Sequence, residues 1–383
     1  MTVLVEDSPR NLLAWIEDVA GRGLARGGVI TPFATPWSNR PGPGGRRGAR
    51  EVADALHQDA AEVWFDPSTH ALQMAGVGDF RYYDEYNLWG GPRGDLSTPA
   101  FREEHLRLVF ALQDRLGAQH LAPTILLHHG ESDTSQHALD LAQAAIELDP
   151  SCWLSIAGTA PFWASGAALD AHIGALAQLE PGGWFLTVAR PITVLPVEAD
   201  IEEVHGLCRT TRALAEHAHV HISHGDLAAL PAVAAGALSI GTGWDQRQRV
   251  CSFGNYSARD PNASGGGWYE RPTFSGLLGS LKTNEAAVLA NRDATRSNRL
   301  GPPPPPGPKE AFLHHLTVLN DLLAPLVAET NHERRYQALT AAYTAAAAEW
   351  PPVVGITGSP LAAADWIGVL ATGLSRYGAG EGW

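Results

Sequence analysis

Four stretches of this chain carry residue types that do chemistry. They are Asp66 at the end of AEVWFDP (61–67), HHGE (128–131), HVHISHGD (219–226) and SIGTGWDQRQR (239–249). In extended chain alternate residues share a face, so His219, His221 and Ser223 point one way, while His128 and His129 point opposite ways. Together with Glu131, Asp66, His224, Asp226 and Asp245, one of the latter histidines, taken as His129, and His221 make a candidate general acid/base cluster. The same residue types can bind a divalent metal. There is no H-x-H on the first predicted strand and no H-E-x-x-H, so acid/base chemistry is preferred and the cofactor is left open.

The last of the four stretches suggests an anion site. Glycines at 241 and 243, flanking Thr242, let a backbone turn approach an anion closely, and Arg247, Arg249 and the more distant Arg190 can add charged donors. The plain alternative is a glycine turn with two surface arginines, or one filled by Trp244. A long segment, GDFRYYDEYNLWGG (78–91), places aromatics among acids. Tyr83 and Trp89 there could stack on a sugar or nucleobase, or the segment could pack on itself as a lid. A second glycine-rich loop, PNASGGGWYERP (261–272), is expected over the same mouth. The G-x-S-x-G elbow and the G-x-x-x-x-G-K-[ST] phosphate loop are both missing, which argues against serine-hydrolase and P-loop chemistry.

These residues need elements to position them. Apolar stretches bounded by Gly, Pro and polar residues read as strands at 27–36, 61–67, 124–130, 152–161, 184–191, 219–226 and 238–244, with an eighth expected near 273–281. Helical spacing predicts helices between them, for example over 135–150, 168–183 and 200–218. Strand–helix alternation implies a parallel sheet covered on both sides, and so many units favour an α/β (β/α)8 TIM-type barrel over an open sheet. The expected division is an N-terminal helix (1–26) that caps the barrel, the barrel (27–300), a polyproline linker (301–308) and a separable helical extension (309–383). In such a barrel functional residues gather where strands end, and nearly every predicted strand ends in a polar residue. A purely structural barrel has no need of that.

Composition bounds the partners. A net charge of −14 argues against nucleic acid or an anionic membrane surface and for a small-molecule substrate. Three scattered cysteines offer neither a disulfide framework nor a thiolate zinc cluster. No uninterrupted apolar run reaches the ~18–20 residues of a membrane span, and the acidic N-terminus lacks a signal peptide's basic region, so a cytoplasmic location is expected. The C-terminal helices offer a route to a homo-oligomer.

TPFATP (31–36) and GALSIGTG (236–243) resemble the opening strand and the late glycine-bearing strand of the tRNA-guanine transglycosylase barrels. That resemblance implies base exchange through an aspartate nucleophile. The zinc-binding cysteine cluster of that family is missing, since Cys251 stands alone. The leading expectation is therefore a barrel enzyme (hydrolase, lyase or glycosyl transferase) using general acid/base chemistry at the C-terminal mouth. Its substrate would be a small anionic or glycosidic, sugar- or nucleoside-like molecule. The rival class is a non-catalytic scaffold or binding protein, which would not need to gather these side chains around one point.

Overall fold

The structure is a computed structural model that describes residues 2–7, 15–40, 45–78, 82–195, 197–257, 271–359 and 362–383. Eight parallel strands form its centre: β1 (Val3–Val5), β2 (Gly27–Ile30), β3 (Glu62–Phe65), β4 (Leu126–Leu127), β5 (Trp153–Thr159), β6 (Gly183–Ala189), β7 (His219–Ser223) and β8 (Ser239–Thr242). Their ladder runs β3-β2-β1-β8-β7-β6-β5-β4, which is chain order bent round on itself. Parallel bridges Trp64–Gln119 and Leu121–Trp153 set the run leading into β4 between β3 and β5, so the ring closes. The fold is a (β/α)8 barrel.

The helices between the strands are α1 (Ile16–Gly21), α2 (Ala49–Gln58), α3 (Pro99–Leu116), α4 (Asp133–Leu148), α5 (Ala160–Trp163), α6 (Ala167–Ala177), α7 (Ile201–Ala215) and α8 (Leu230–Ala235). The strands bury both faces, which is why they read as continuous apolar runs rather than as alternating ones. Inside the ring Leu4, Val29, Trp64, Leu121, Trp153 and Phe185 form a separate buried layer, with Trp64 edge-on to Trp153 at 4.8 Å between ring centroids. Three of those residues, Leu4, Val29 and Trp64, lie below the strand ends, so large side chains plug the barrel and leave its C-terminal mouth for chemistry.

Two expectations need correction. The first strand is Val3–Val5, which pairs with both β2 and β8, so the start of the chain is the first βα unit. α1 is that unit's helix, packed beside α2, and does not cap the barrel. A three-residue strand is too short to show a period, so VLV carried no pattern. Nor is 273–281 a barrel strand. It is a small antiparallel hairpin, β9 (Thr273–Phe274) and β10 (Gly279–Ser280), outside the ring.

After β8 come α9 (Gln246–Arg249), α10 (Phe253–Tyr256), α11 (Thr283–Arg292) and α12 (Ala294–Leu300). The tail follows as α13 (Pro308–Ala328), α14 (His332–Thr357) and α15 (Ala362–Glu381). α15 packs on α7 and α14, α14 on α8 and α11, and α13 on α8 and β9. Leu316, Leu319, Tyr343, Trp350, Leu374 and Tyr377 of the tail belong to the same continuous apolar core as the barrel's outer layer. The tail is therefore not a separate layer. By length and composition α13 could cross a membrane, with a mean hydropathy of 1.3, but here Phe312, Leu316, Leu319 and Leu323 are buried in the shared core.

Candidate functional site

Glu6 follows β1 and is 1% exposed. Its Oε1 accepts from the Ser223 hydroxyl at 2.9 Å and from the His224 backbone N–H at 3.1 Å. Its own N–H donates to the Thr242 carbonyl at 2.9 Å, and its carbonyl accepts from the Gln248 side-chain amide. The Nε2 atoms of His221 and His224 stand 3.8 and 3.9 Å from its carboxylate. Burial alone would raise the pKa of Glu6; His224 and His221 outweigh it and hold the carboxyl below its usual value. His221 lies inside the ring with Nδ1 2.9 Å from the Ser239 hydroxyl, its ring tilted against Phe185, and its Nε2 without a hydrogen bond. Burial lowers its pKa, against the pull of Glu6.

Asp66 follows β3 and behaves in the opposite way. Burial raises its pKa to about 6; the Ser68 N–H, 2.6 Å away, pulls it back, and the charge on Glu6 pushes it further up. Two neighbouring carboxyls are thus driven apart in proton affinity, the pattern that separates an acid from a base. The backbone here is strained as well. Ser68, His224 and Asp226 take left-handed conformations with φ of 51°, 50° and 44°, although none is glycine. Such residues cost of order 1 kcal/mol or more each and cluster at functional sites.

A roof lies over part of the mouth. Ala71, Met74, Leu126, Ala189, Cys251 and Tyr256 form a satellite apolar cluster. Bridges Val77–Ser257 and Arg190–Ser252 tie the segment that carries Cys251 and Tyr256 across it. His70, buried below, is kept neutral, since burial lowers its pKa to about 3. Its Nε2 lies 3.9 Å from the Cys251 sulfur, whose thiol burial pushes up. Asp7 receives the Thr31 N–H at 2.9 Å on the other side.

Of the acid/base candidates singled out from sequence, His221 and His224 stand beside Glu6 and Asp66 lies within reach of its charge, while the others are placed elsewhere. His129 and Glu131 are exposed at the rim, where the Glu131 N–H donates to His129 Nδ1 at 3.1 Å. His128, also exposed, has Nδ1 3.3 Å from the Thr159 hydroxyl. Arg190 is held in a buried ion pair with Glu203, at 2.5 and 3.0 Å, and donates to the Glu198 carbonyl, so it anchors the start of α7 rather than a substrate. Asp226 faces away from Glu6. Its Oδ1 takes the Thr242 hydroxyl at 3.1 Å and lies 3.0 Å from Nε2 of His315 on α13.

The glycine turn is filled from within. A Cβ on Gly241 would lie 1.9 Å from Glu6 Oε1, and one on Gly243 2.3 Å from the Gln248 side-chain carbon. The backbone N–H groups of Trp244 and Asp245 both donate to Gln248 Oε1 at 2.9 Å. The glycines therefore admit side chains of this chain, not an anion. Asp245 caps α9 by accepting from the Arg247 N–H at 3.0 Å, and Arg249 Nε donates to the Gly243 carbonyl at 2.8 Å. Nor are the aromatics turned toward the mouth, for their faces are taken up within the protein. Tyr83 is fully buried and donates to the Pro67 carbonyl, while Trp89 lies flat on His105 at 3.9 Å. The described aromatics of this segment therefore pack against the barrel and α3, while Phe80 and the 261–270 loop lie outside the described residues.

Glu6, Gln248, His70 and His315 had escaped sequence reading. Glu6 had a signal: VLVED ends in acids just as the other strands end in polar residues, but the strand itself went unseen. His315 had none, since it reaches the barrel from a helix beyond the proline run. Among the described residues no group of three or more His, Cys, Asp or Glu is arranged to hold a metal ion.

No family model matches this chain, and no curated protein matches it. Solved structures to which it is similar include a GH10 xylanase of Thermobacillus composti, at 13% identity over 63% of this chain and 82% of that one, with a TM-score of 0.35. A psychrophilic glycoside hydrolase family 10 endo-β-1,4-xylanase matches at 12% identity over 68% and 94%, with a TM-score of 0.36. The barrel rests on the strand order described above and not on these similarities.

Proposed function

We propose that the protein is a (β/α)8-barrel enzyme that cleaves a small glycosidic, sugar- or nucleoside-like molecule by paired acid and base action at the C-terminal mouth. Asp66 is the general acid, which hands its proton to the departing oxygen or nitrogen. His224, its Nδ1 held against the Gln248 carbonyl at 3.1 Å, takes a proton from the attacking water at Nε2, the nitrogen that faces Glu6, and the Glu6 carboxylate stabilises the imidazolium that forms. The observation that carries this reading is convergence: side chains from the ends of β1, β3 and β7 meet at one end of the barrel, close enough for Asp66 to feel the charges of both Glu6 and His224. The glycosidic half of the substrate expectation is favoured over the anionic half, because Arg190 is already paired and the glycine turn is filled.

The test is release of nitrophenol or free base from a panel of nitrophenyl glycosides and nucleosides. The wild type should turn over at least one, with a rate that falls as pH rises through about 6, where Asp66 loses its proton. Asp66→Asn should lower kcat about 10²–10⁴-fold, the usual size of a general acid's contribution. No turnover across the panel, or equal rates in wild type and variant, would overturn the assignment.

A further inference from the structure

Two non-glycine residues of the turn His224-Gly225-Asp226 hold left-handed conformations, with φ of 50° and 44°. Such backbone persists only where its surroundings over-determine it. On the mouth side the clamp is Glu6, which takes the His224 N–H at 3.1 Å, while Nδ1 of the same histidine lies 3.1 Å from the Gln248 carbonyl. On the far side the clamp is Asp226, whose Oδ1 accepts the Thr242 hydroxyl at 3.1 Å and lies 3.0 Å from Nε2 of His315. Thr242 joins the two sides, since its carbonyl takes the Glu6 N–H at 2.9 Å. The contacts thus run in a closed ring from Glu6 through the turn to Thr242 and back. His315 enters that ring from α13, outside the barrel. Its Nδ1 lies 2.8 Å from the Thr273 hydroxyl. Burial, and then the charge on Arg249, lower its pKa against the pull of Asp226. With the proton on Nε2, the neutral ring donates to Asp226 and accepts from Thr273, so both nitrogens are satisfied without a charge.

We propose that His315 is a positioning residue for His224: from α13 it fixes Asp226, Asp226 fixes the strained turn, and the turn aims the His224 ring at Glu6. The functional meaning of this rests on the reading of His224 as the base; the placement itself is geometry. Gly225 cannot absorb a shift between its two neighbours. A Cβ there would already lie 2.6 Å from the Ala229 side chain and 3.0 Å from that of Ile222. Packing this close transmits displacement rather than damping it. Relaxing Asp226 to negative φ would therefore move His224. Asp226, Thr242, Thr273 and His315 are all 4% exposed or less, so water does not stand in readily for a lost partner. The C-terminal helices thus reach the mouth through one imidazole, without lining it.

The two nitrogens of His315 can be tested separately. Glutamine carries its amide nitrogen near the place of Nε2 and asparagine near that of Nδ1, so His315→Gln keeps the bond to Asp226 and His315→Asn gives it up. The experiment is amide hydrogen exchange of the full chain, read by NMR on nitrogen-labelled histidine and leucine. The His224 N–H is compared with that of Leu186 in β6, which reports on the barrel as a whole. In His315→Asn the His224 N–H should exchange about tenfold or more faster relative to Leu186, the worth of one lost hydrogen bond. His315→Gln should restore the wild-type ratio, which a merely structural role does not require. Thr242→Val removes the hydroxyl that touches both Asp226 and His315 and should show the same selective loss. It carries the test if His315→Asn fails to fold. The readout needs no substrate, so failure of the proposed reaction leaves it intact; where turnover is found, His315→Asn should lower kcat with KM unchanged. Equal acceleration at His224 and Leu186, or the same ratio in His315→Gln and His315→Asn, would overturn the proposal.

Discussion

Glu6 and Asp66 show how far two carboxyls of nearly equal intrinsic acidity can be separated by their surroundings. Glu6 is compensated by two histidines and a serine hydroxyl; at Asp66 desolvation outweighs the pull of Ser68 and His224. The raised pKa of Asp66 links to stability with a definite sign. The folded state prefers the protonated form, so its contribution is fully present below the unfolded value near 3.8 and is lost as pH rises through about 6. Asp66→Asn, which cannot ionise, should therefore melt higher than wild type at pH near 8, and the gap should close toward pH near 4. Scanning calorimetry at both pH values checks this; a gap independent of pH would remove buried charge as its cause. Asp66 was legible in the sequence as the polar end of an apolar strand. The occupant of the Gly241–Gly243 turn was not, because a glycine shows that something comes close and not what it is.

At the scale of elements, α13 does work that its position in the chain does not suggest. His315 stands 3.0 Å from Asp226 and 3.1 Å from Thr242 through Nε2, and 2.8 Å from Thr273 through Nδ1. One imidazole thus joins the end of β8, the turn after β7 and the β9 hairpin to the tail. All of these groups are buried, so removing the ring leaves polar atoms without partners. His315→Ala should cost about 1–3 kcal/mol in urea unfolding. A loss under about 0.5 kcal/mol, the size of a neutral surface change, would show the network to be idle. The barrel strands from β2 to β8 could be read from apolar runs bounded by Gly and Pro. β1 could not, for it is recognisable only by its pairing with β2 and β8.

For the whole molecule the question is whether the tail is optional. The proline run is composed like a linker, yet the helices after it bury Tyr343, Trp350, Leu370 and Tyr377 in the core they share with α7 and α8. Removing them would uncover that whole apolar face and leave Asp226 without His315. A chain ending at Leu300 should lose cooperative thermal unfolding and near-ultraviolet dichroism while keeping helical signal, the behaviour of a loosely packed state. A truncated chain that melts as sharply and as high as the full one would refute the shared core.

The division between what sequence and tertiary structure decide follows from range. Period and punctuation are local, so the alternation of strands and helices, the barrel class and the polar strand ends were all written in consecutive residues. Which polar residues share a site is set by the order in which strands close a ring. Closing it brings Glu6 beside Ser223 and His224, more than two hundred positions away in the chain. The same closure turns Arg190 to Glu203, fills the glycine turn with Gln248 and leaves His129 and Glu131 at the rim. A side chain's chemistry depends on burial and on its nearest charges, and only the closed barrel supplies both.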